Sequence, residues 1–363
     1  MIRVKIYGAG SIGNHLAYAC RQKNWDVSVV DRDTQALKRM KEEIYSSRYG
    51  AWDSEIKLFT LQDQPRRKFD AIFIGTPPDT HLAIAIDVLK QEAPRVLQIE
   101  KPLCSPTLEG LAEFMRETRH HSDTAIIVGF NHLLAENTEL LNLFIHKRNL
   151  GSLVSIDAEI RSSWKNIFLA HPWLAGPEDT YLGYWKRGGG AGGEHCHALN
   201  LWQYFAHQCG RGKVTEVSGT FEYIHNEKIY YDRLCFLTLK TDSGMVGRVA
   251  QDVVAQQKSK VARLWFERGI AEWHNDATKT TDQIIFQAYG KGREEIVIKK
   301  KRIDEFFREV VHINRLLDGT EKIENSPVRL ERGIDTMLVL AAGHKSYANR
   351  KVVAVDYSIY SLL

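Results

Sequence analysis

The segment Gly8-Ala9-Gly10-Ser11-Ile12-Gly13 constrains this chain more than any other, because of what flanks it. Residues 2–7 alternate in the manner of a strand, and a helix-like pattern runs from 12 to about 22. A GxGxxG between a strand and a helix lets the chain turn tightly at its first glycine, approach a pyrophosphate at its second and pack helix on strand at its third. The helix N-terminus then faces the negative charge. On its own the pattern is weak. Here a second strand, 26–30, ends at Asp31, 18 residues beyond Gly13, where a carboxylate accepts hydrogen bonds from adenosine ribose hydroxyls. Gly8, Gly10, Ser11, Ile12, Gly13 and Asp31 are therefore the expected dinucleotide contacts. A carboxylate repels a 2′-phosphate, which favours NAD; Arg32 beside it can accommodate that phosphate and keeps NADP as the alternative.

The alternation continues downstream. The apolar run 71–75 reads as a buried strand, followed by a helix from 80 to about 90, a strand 95–99, a helix from about 107 to 118 and a strand 125–129. Such a pattern gives a doubly wound parallel sheet with helices on both faces. We expect an α/β protein whose first domain, residues 1–130, is a Rossmann domain. Past a linking helix at about 135–147, longer alternating strands are predicted at 153–163, 214–224, 234–241 and 245–254, with a hairpin turn at Thr241-Asp242-Ser243-Gly244. Residues 131–363 are then a second α/β domain around a mainly antiparallel open sheet, with amphipathic helices at about 303–317 and 328–344.

A length of 363 residues suits two domains, and 44% hydrophobic with 26% charged residues excludes a disordered or fibrous chain. The 49 Lys+Arg against 45 Asp+Glu leave a net charge of +4, too small to imply nucleic acid or an anionic membrane as partner. No stretch approaches the roughly 18 apolar residues that cross a bilayer, and the start has no secretory apolar core. Five cysteines without a CxxC pair fit a reducing cytoplasm.

Two more segments follow predicted parallel strands at the edge where such sheets bind ligands. They are Gly75-Thr76-Pro77-Pro78-Asp79-Thr80-His81 and Glu100-Lys101-Pro102. The proline restricts the backbone of Lys101 to an extended conformation and aims the lysine at the cofactor crevice. There it can hydrogen-bond a substrate hydroxyl or shuttle its proton; the plainer alternative is a surface ion pair with Glu100.

With these elements the chain resembles the glucose–fructose oxidoreductase, inositol dehydrogenase and rhizopine catabolism (Gfo/Idh/MocA) family over nearly its whole length. The carriers are Gly8–Gly13, Thr-Pro-Pro-x-x-His ending at His81, Glu100-Lys101-Pro102, Gly129-Phe130-Asn131, the strand start Gly151-Ser-Leu-Val-Ser-Ile156, and Gly188-Gly189-Gly190 leading to a histidine helix. The resemblance implies a C-terminal α/β domain whose open sheet supports a homodimer or homotetramer, and oxidation or reduction of a sugar or cyclitol hydroxyl with NAD(P). It adds Thr76, Pro77, His81, Glu100 and Lys101 to the cofactor contacts. It also implies a second catalytic element, an Asp and a His four residues apart. The run from His197 to Phe205 matches best with His197 as that histidine; the aspartate position falls at Gly193, and Glu194, three residues before His197, takes its place on a shared helix face. His195 is expected on the other face. His197, with an ordinary pKa of about 6.5, would take the hydroxyl proton. Asn131, a candidate substrate residue, stands where the family often has an arginine.

His195-Cys196-His197 is not read as a metal site, because residues two apart on a helix diverge and no fourth ligand is near. Between Ser163 and Gly188 an aperiodic stretch combines aromatics with cations, and Trp164, Lys165, Tyr184, Trp185 and Arg187 become the candidate substrate residues. The cations there, Lys186 included, suit an anionic sugar. The expected activity is an NAD(P)-dependent dehydrogenase, or reductase in reverse, of a sugar, cyclitol or nucleotide-linked sugar. The alternatives are a dinucleotide-binding sensor without turnover and an NAD-dependent glycosidase that works through transient oxidation.

Overall fold

The structure is a computed structural model that describes residues 1–362, without the side chains of Asn166, Arg302 and Ile303. Its first part runs β1 (Arg3–Tyr7), α1 (Ser11–Arg21), β2 (Asp26–Asp31), α2 (Thr34–Arg39), α3 (Tyr45–Tyr49), β3 (Ile56–Thr60), β4 (Ala71–Ile74), α4 (His81–Gln91), β5 (Val96–Ile99), α5 (Leu111–Thr118) and β6 (Ala125–Val128). The six strands form one parallel sheet in the order β3-β2-β1-β4-β5-β6. Helices on both faces explain why β4 and β5 are buried at every position and read as unbroken apolar runs. β3 was not expected: it is a short edge strand, half exposed, with no apolar run to betray it.

The second part runs α6 (Glu136–Lys147), β7 (Leu153–Arg161), α7 (Lys165–Leu169), α8 (Gly190–Glu194), α9 (His197–Gln208), β8 (Val214–His225), β9 (Tyr230–Thr241), β10 (Val246–Asp252), β11 (Ser259–Phe266), β12 (Gly269–Thr278), β13 (Thr281–Ala288), β14 (Arg293–Lys299), α10 (Arg302–Asp318), α11 (Leu330–Asn349) and β15 (Val353–Ala354). Its sheet has nine strands, β14-β13-β12-β11-β7-β10-β9-β8-β15, all antiparallel neighbours except the parallel pair β7 and β10. The four strands read from the sequence, β7 to β10, are adjacent in this sheet and run from its middle toward the β15 edge. The expectation missed β11 to β14, where charges between the buried positions, such as Arg263 and Glu272, dilute the apolar alternation.

The two parts share an extensive junction. α10 returns from the second sheet to pack on α1, where Phe306 stacks on His15 with ring centres 4.4 Å apart, and Val128 N–H donates to the Val328 carbonyl at 2.8 Å. All five cysteines are free thiols. Among the described residues no helix is long and apolar enough to cross a membrane.

Candidate active site

The carboxyl ends of the parallel strands are joined in a row by backbone hydrogen bonds. Gly8 N–H donates to Val30 O at 2.9 Å, Gly75 to Tyr7 O at 2.8 Å, Glu100 to Ile74 O at 2.9 Å and Gly129 to Ile99 O at 2.8 Å. Four loops therefore line one edge. At the first, a Cβ on Gly13 would lie 1.9 Å from the Gly8 carbonyl oxygen, so α1 sits directly on the turn. A Cβ on Gly10 would meet nothing within 4 Å, which leaves room for a pyrophosphate at the N-terminus of α1. Ser11 Oγ accepts from the Arg48 guanidinium at 2.9 Å, and the Ile12 side chain packs toward Gly75. Asp31 Oδ2 accepts from Ala9 N–H at 2.7 Å and Oδ1 from Asp33 N–H at 2.9 Å. Because a carboxylate has about four acceptor positions, Asp31 pins the loop and retains capacity for ribose hydroxyls. The cap of α2 is Asp33, and Arg32 is exposed.

His81 ties the next two loops together. Its buried ring bridges Thr76 O at 2.7 Å and Pro102 O at 3.0 Å, and burial pulls its pKa below the usual histidine value. Thr76 Oγ1 bonds Thr80 Oγ1 at 2.7 Å, and Pro77 O accepts from Thr80 Oγ1 at 2.7 Å. The Lys101–Pro102 peptide bond is cis. Glu100 is buried against Gly129; burial pushes its carboxyl up to about 7, against the pull of the Lys101 charge.

The second part closes on these loops through the segment before α9. Gly188 abuts Pro78, Arg187 Nε pairs with Asp79 at 2.7 Å, and α8 then carries Glu194 to Lys101. Lys101 Nζ donates to the Glu194 carbonyl oxygen at 2.9 Å and to Glu194 Oε2 at 3.2 Å. The side chains are 13% and 18% exposed, so the pair is largely out of water. Burial opposes the ammonium charge most strongly, yet Glu194, Tyr181, Cys196 and Glu100 together outweigh burial and hold the Lys101 pKa above the usual lysine value. Burial likewise opposes the charge of Glu194, and Lys101, by its charge and its hydrogen bond, holds the carboxyl below the usual range. Lys101 is thus a fixed cation at the cofactor edge.

A Rossmann phosphate loop beside a buried lysine–glutamate pair narrows the fold to a nucleotide-dependent enzyme architecture. Residues 2–130 match the oxidoreductase family with an NAD-binding Rossmann fold, Gfo/Idh/MocA. The N-terminal domain belongs to that family. Solved structures share the fold over nearly the whole chain. An oxidoreductase domain protein from Kribbella flavida matches at 17% identity over 98% of this chain and 100% of its own, with a TM-score of 0.76. An Agrobacterium radiobacter oxidoreductase solved with NAD+, L-tartaric acid and magnesium matches at 15% identity over 100% and 99%, TM-score 0.73. Levoglucosan dehydrogenase with NADH and levoglucosan matches at 16% identity over 98% and 99%, TM-score 0.72. No curated protein sequence matches the chain.

The Gfo/Idh/MocA resemblance also set expectations for the histidines, and two need correction. Glu194 and His197 do not share one continuous helix: α8 ends at Glu194 and α9 starts at His197, with His195 at φ −102°, ψ 19° between them. Nor is His195 turned away. It is 8% exposed, and its pKa, lowered to about 4 by burial, feels the charges of Glu194, Lys101 and Lys260. His197 stacks on His132 with ring centres 4.3 Å apart and meets Phe130 edge-on at 5.6 Å. Lys260 Nζ approaches His132 Nε2 at 3.4 Å.

The stretch 164–188 is not without structure. It folds into α7 and three single 3₁₀ turns. Trp164 is buried between Tyr231 and Phe168, Trp185 stacks on His344 at 4.6 Å, and Tyr184 bonds the Glu178 carbonyl at 3.3 Å. Lys165 and Lys186 are exposed, and Arg187 is engaged by Asp79, so these cations do not converge on Lys101. Asn131 lies just beyond β6 with Oδ1 buried. Tyr181, partly buried and with its phenol pKa raised by desolvation and then by Glu194, belongs to the surroundings of Lys101 and was missed. So does His171, which lies close enough to Glu194 to act on its carboxyl and bonds the Ile167 carbonyl at 2.6 Å. No pattern in the sequence singles out either residue, because both reach the site from an aperiodic stretch.

Proposed function

We propose that the protein is an NAD-dependent dehydrogenase, reversible as a reductase, that acts on a hydroxyl-bearing carbon of a sugar, cyclitol or nucleotide-linked sugar. The observation that carries this reading is the buried Lys101–Glu194 pair beside the cofactor loops. The cradle at Gly10 and the carboxylate of Asp31 fit NAD. When bound, NAD supplies the hydride acceptor. Lys101, held cationic by Glu194, donates a hydrogen bond to the reacting hydroxyl and stabilises its developing negative charge as the proton leaves. His197 takes that proton, and Glu194 keeps Lys101 charged and oriented. His81 keeps the loops of Thr76 and Lys101 in register.

Helices α6, α9 and α11 pack on the second sheet, and its outer face carries pairs such as Arg248–Asp157 at 2.7 Å. We assign that face to a homodimer or homotetramer contact, which light scattering will read as twice or four times the 41.5 kDa chain mass. The activity is tested with purified protein, NAD and a panel of sugars, cyclitols and nucleotide sugars, following NADH absorbance and product mass. Net NADH supports the dehydrogenase. Cleaved product without NADH indicates a glycosidase, and cofactor binding without turnover indicates a sensor; either result overturns the proposal.

A further inference from the structure

His195 is a buried histidine that the mechanism above leaves without work. It follows Glu194 directly, at the bend between α8 and α9, where Lys101 grips the Glu194 carbonyl and carboxylate. Its ring bonds the backbone carbonyl of Ser162, the residue just past the end of β7, and Nε2 is buried with no partner among the described residues. The bond to a carbonyl therefore uses Nδ1–H, and Nε2 carries a bare lone pair. Burial lowers the pKa to about 4, with Glu194 opposing and Lys101 and Lys260 adding to the effect, so the ring is neutral near pH 7 and Nε2 remains an acceptor.

A buried acceptor without a donor is destabilising, and a purely structural role would be filled at lower cost by an apolar side chain. The place also argues for a ligand. Ser162 follows the central strand β7, Lys260 lies opposite Ile160 on the adjacent β11, and Lys101 pairs with the neighbouring Glu194. An unpaired acceptor asks for a hydrogen-bond donor, which a hydroxyl provides and a carboxylate or phosphate does not. We propose that His195 binds a second hydroxyl of the substrate at Nε2, while Lys101 holds the hydroxyl that reacts, so that the substrate is a polyol and not a simple alcohol. This deepens the dehydrogenase reading and rests on it only in calling the bound molecule a substrate. His195 is a specificity-determining residue that was hidden in the sequence because a straight helix would have turned it away.

The test uses the full chain with NADH or NAD and compares myo-inositol, glucose and UDP-glucose with their monodeoxy analogues. Ternary binding is followed by tryptophan fluorescence and turnover by NADH. The wild type will prefer a polyol over one of its deoxy analogues by about tenfold or more. His195→Val will raise KM by about tenfold, leave kcat nearly unchanged and erase that preference, and His195→Asn, which retains an acceptor, will restore part of it. A His195→Val protein with the wild-type preference overturns the proposal. Polyol binding that depends on His195 without turnover upholds it and removes the dehydrogenase reading; turnover indifferent to His195 does the reverse. Absence of polyol binding overturns both. NADH affinity reports whether each variant folds. If His195→Val does not, histidine 15N spectra of the wild type decide, because polyol must move the Nε2 resonance of His195 and an unmoved resonance sinks the proposal.

Discussion

Residues 8–13 and residues 188–193 are both glycine-rich, and each leads into a helix, α1 and α8, yet their glycines make room for different neighbours. At Gly10 a side chain would meet nothing within 4 Å, so the space beside it is open, as the proposed pyrophosphate contact requires. At Gly190, where φ is +75°, a Cβ would lie 2.0 Å from Asp232 Oδ1, so the space is already filled by the protein. Two fully buried side chains of the second sheet hold that turn from beneath. Asp232 Oδ2 on β9 accepts from Gly192 N–H at 2.7 Å, and Gln251 Nε2 on β10 donates to Ala191 O at 2.9 Å and Gly192 O at 3.0 Å. A glycine run can thus mark an approaching ligand or an approaching sheet, and buried polar partners tell which. Lys101 joins the two regions by reaching from the first sheet to Glu194 at the end of the second turn.

Cutting that link has the largest expected effect. Lys101→Ala should lower turnover by about 10²–10³-fold, the loss seen when one donor to a developing oxyanion is removed. His197→Ala should cost about 10²-fold or more. NAD affinity should fall far less than turnover in both, because neither change touches the turn at residues 8–13; wild-type turnover in either variant would refute its role. The glycines themselves give the next contrast. Gly190→Ala must adopt a left-handed backbone at about 1–2 kcal/mol and displace Asp232, so both Tm and kcat should fall. Gly10 has φ −78°, which alanine accepts, and nothing stands nearby. Gly10→Ala should keep its Tm and lose NAD affinity, and a Tm loss at residue 10 equal to that at residue 190 would erase the distinction. Asp31→Ala follows, with NAD affinity expected to weaken about tenfold, the worth of a charge-assisted hydrogen bond. Fluorescence titration checks this, and an unaltered affinity would remove the ribose contact.

The two regions were not equally legible. The turn at 8–13 is announced by neighbours close in sequence: a strand before it, a helix after it and Asp31 at the next strand end. The second turn is held by Asp232 and Gln251, which contact it from 40 and 59–60 residues away. Only a family resemblance gave it meaning; it pointed to Glu194 and His197 as partners of Lys101 and placed the two on one helix face, which the break between α8 and α9 corrects. The bend at His195 arises where a short helix of glycine and alanine is pinned to the sheet, and no local spacing encodes it. The same limit hid β11 to β14, whose alternation is masked by charges, and the docking of α10 on α1, which is a contact between the ends of the chain.

The smallest predicted effect tests whether the clamp beneath the second turn has an electrostatic cost. Burial pushes the Asp232 carboxyl up to about 7, with the backbone of Gly192 and Ala191 opposing; in the unfolded chain an aspartate titrates near about 3.9. Between those values the unfolded chain has released a proton that the folded protein keeps. Stability contributed by Asp232 is therefore greatest below about pH 4, falls as pH rises through the window and levels off above about pH 7. Asparagine has the same shape, accepts from Gly192 N–H and does not titrate. The Tm of Asp232→Asn minus that of the wild type should accordingly grow between pH 5 and pH 8, by about 2–4 °C for each kcal/mol involved. Groups common to both proteins largely cancel in the difference. Two of them have Asp232 among the charges that raise their pKa, the Cys235 thiol and the Tyr223 hydroxyl, and both titrate above the window. A difference that stays flat or shrinks with pH would mean that Asp232 is ionised at no extra cost, and that the second turn holds a charge as readily as the first.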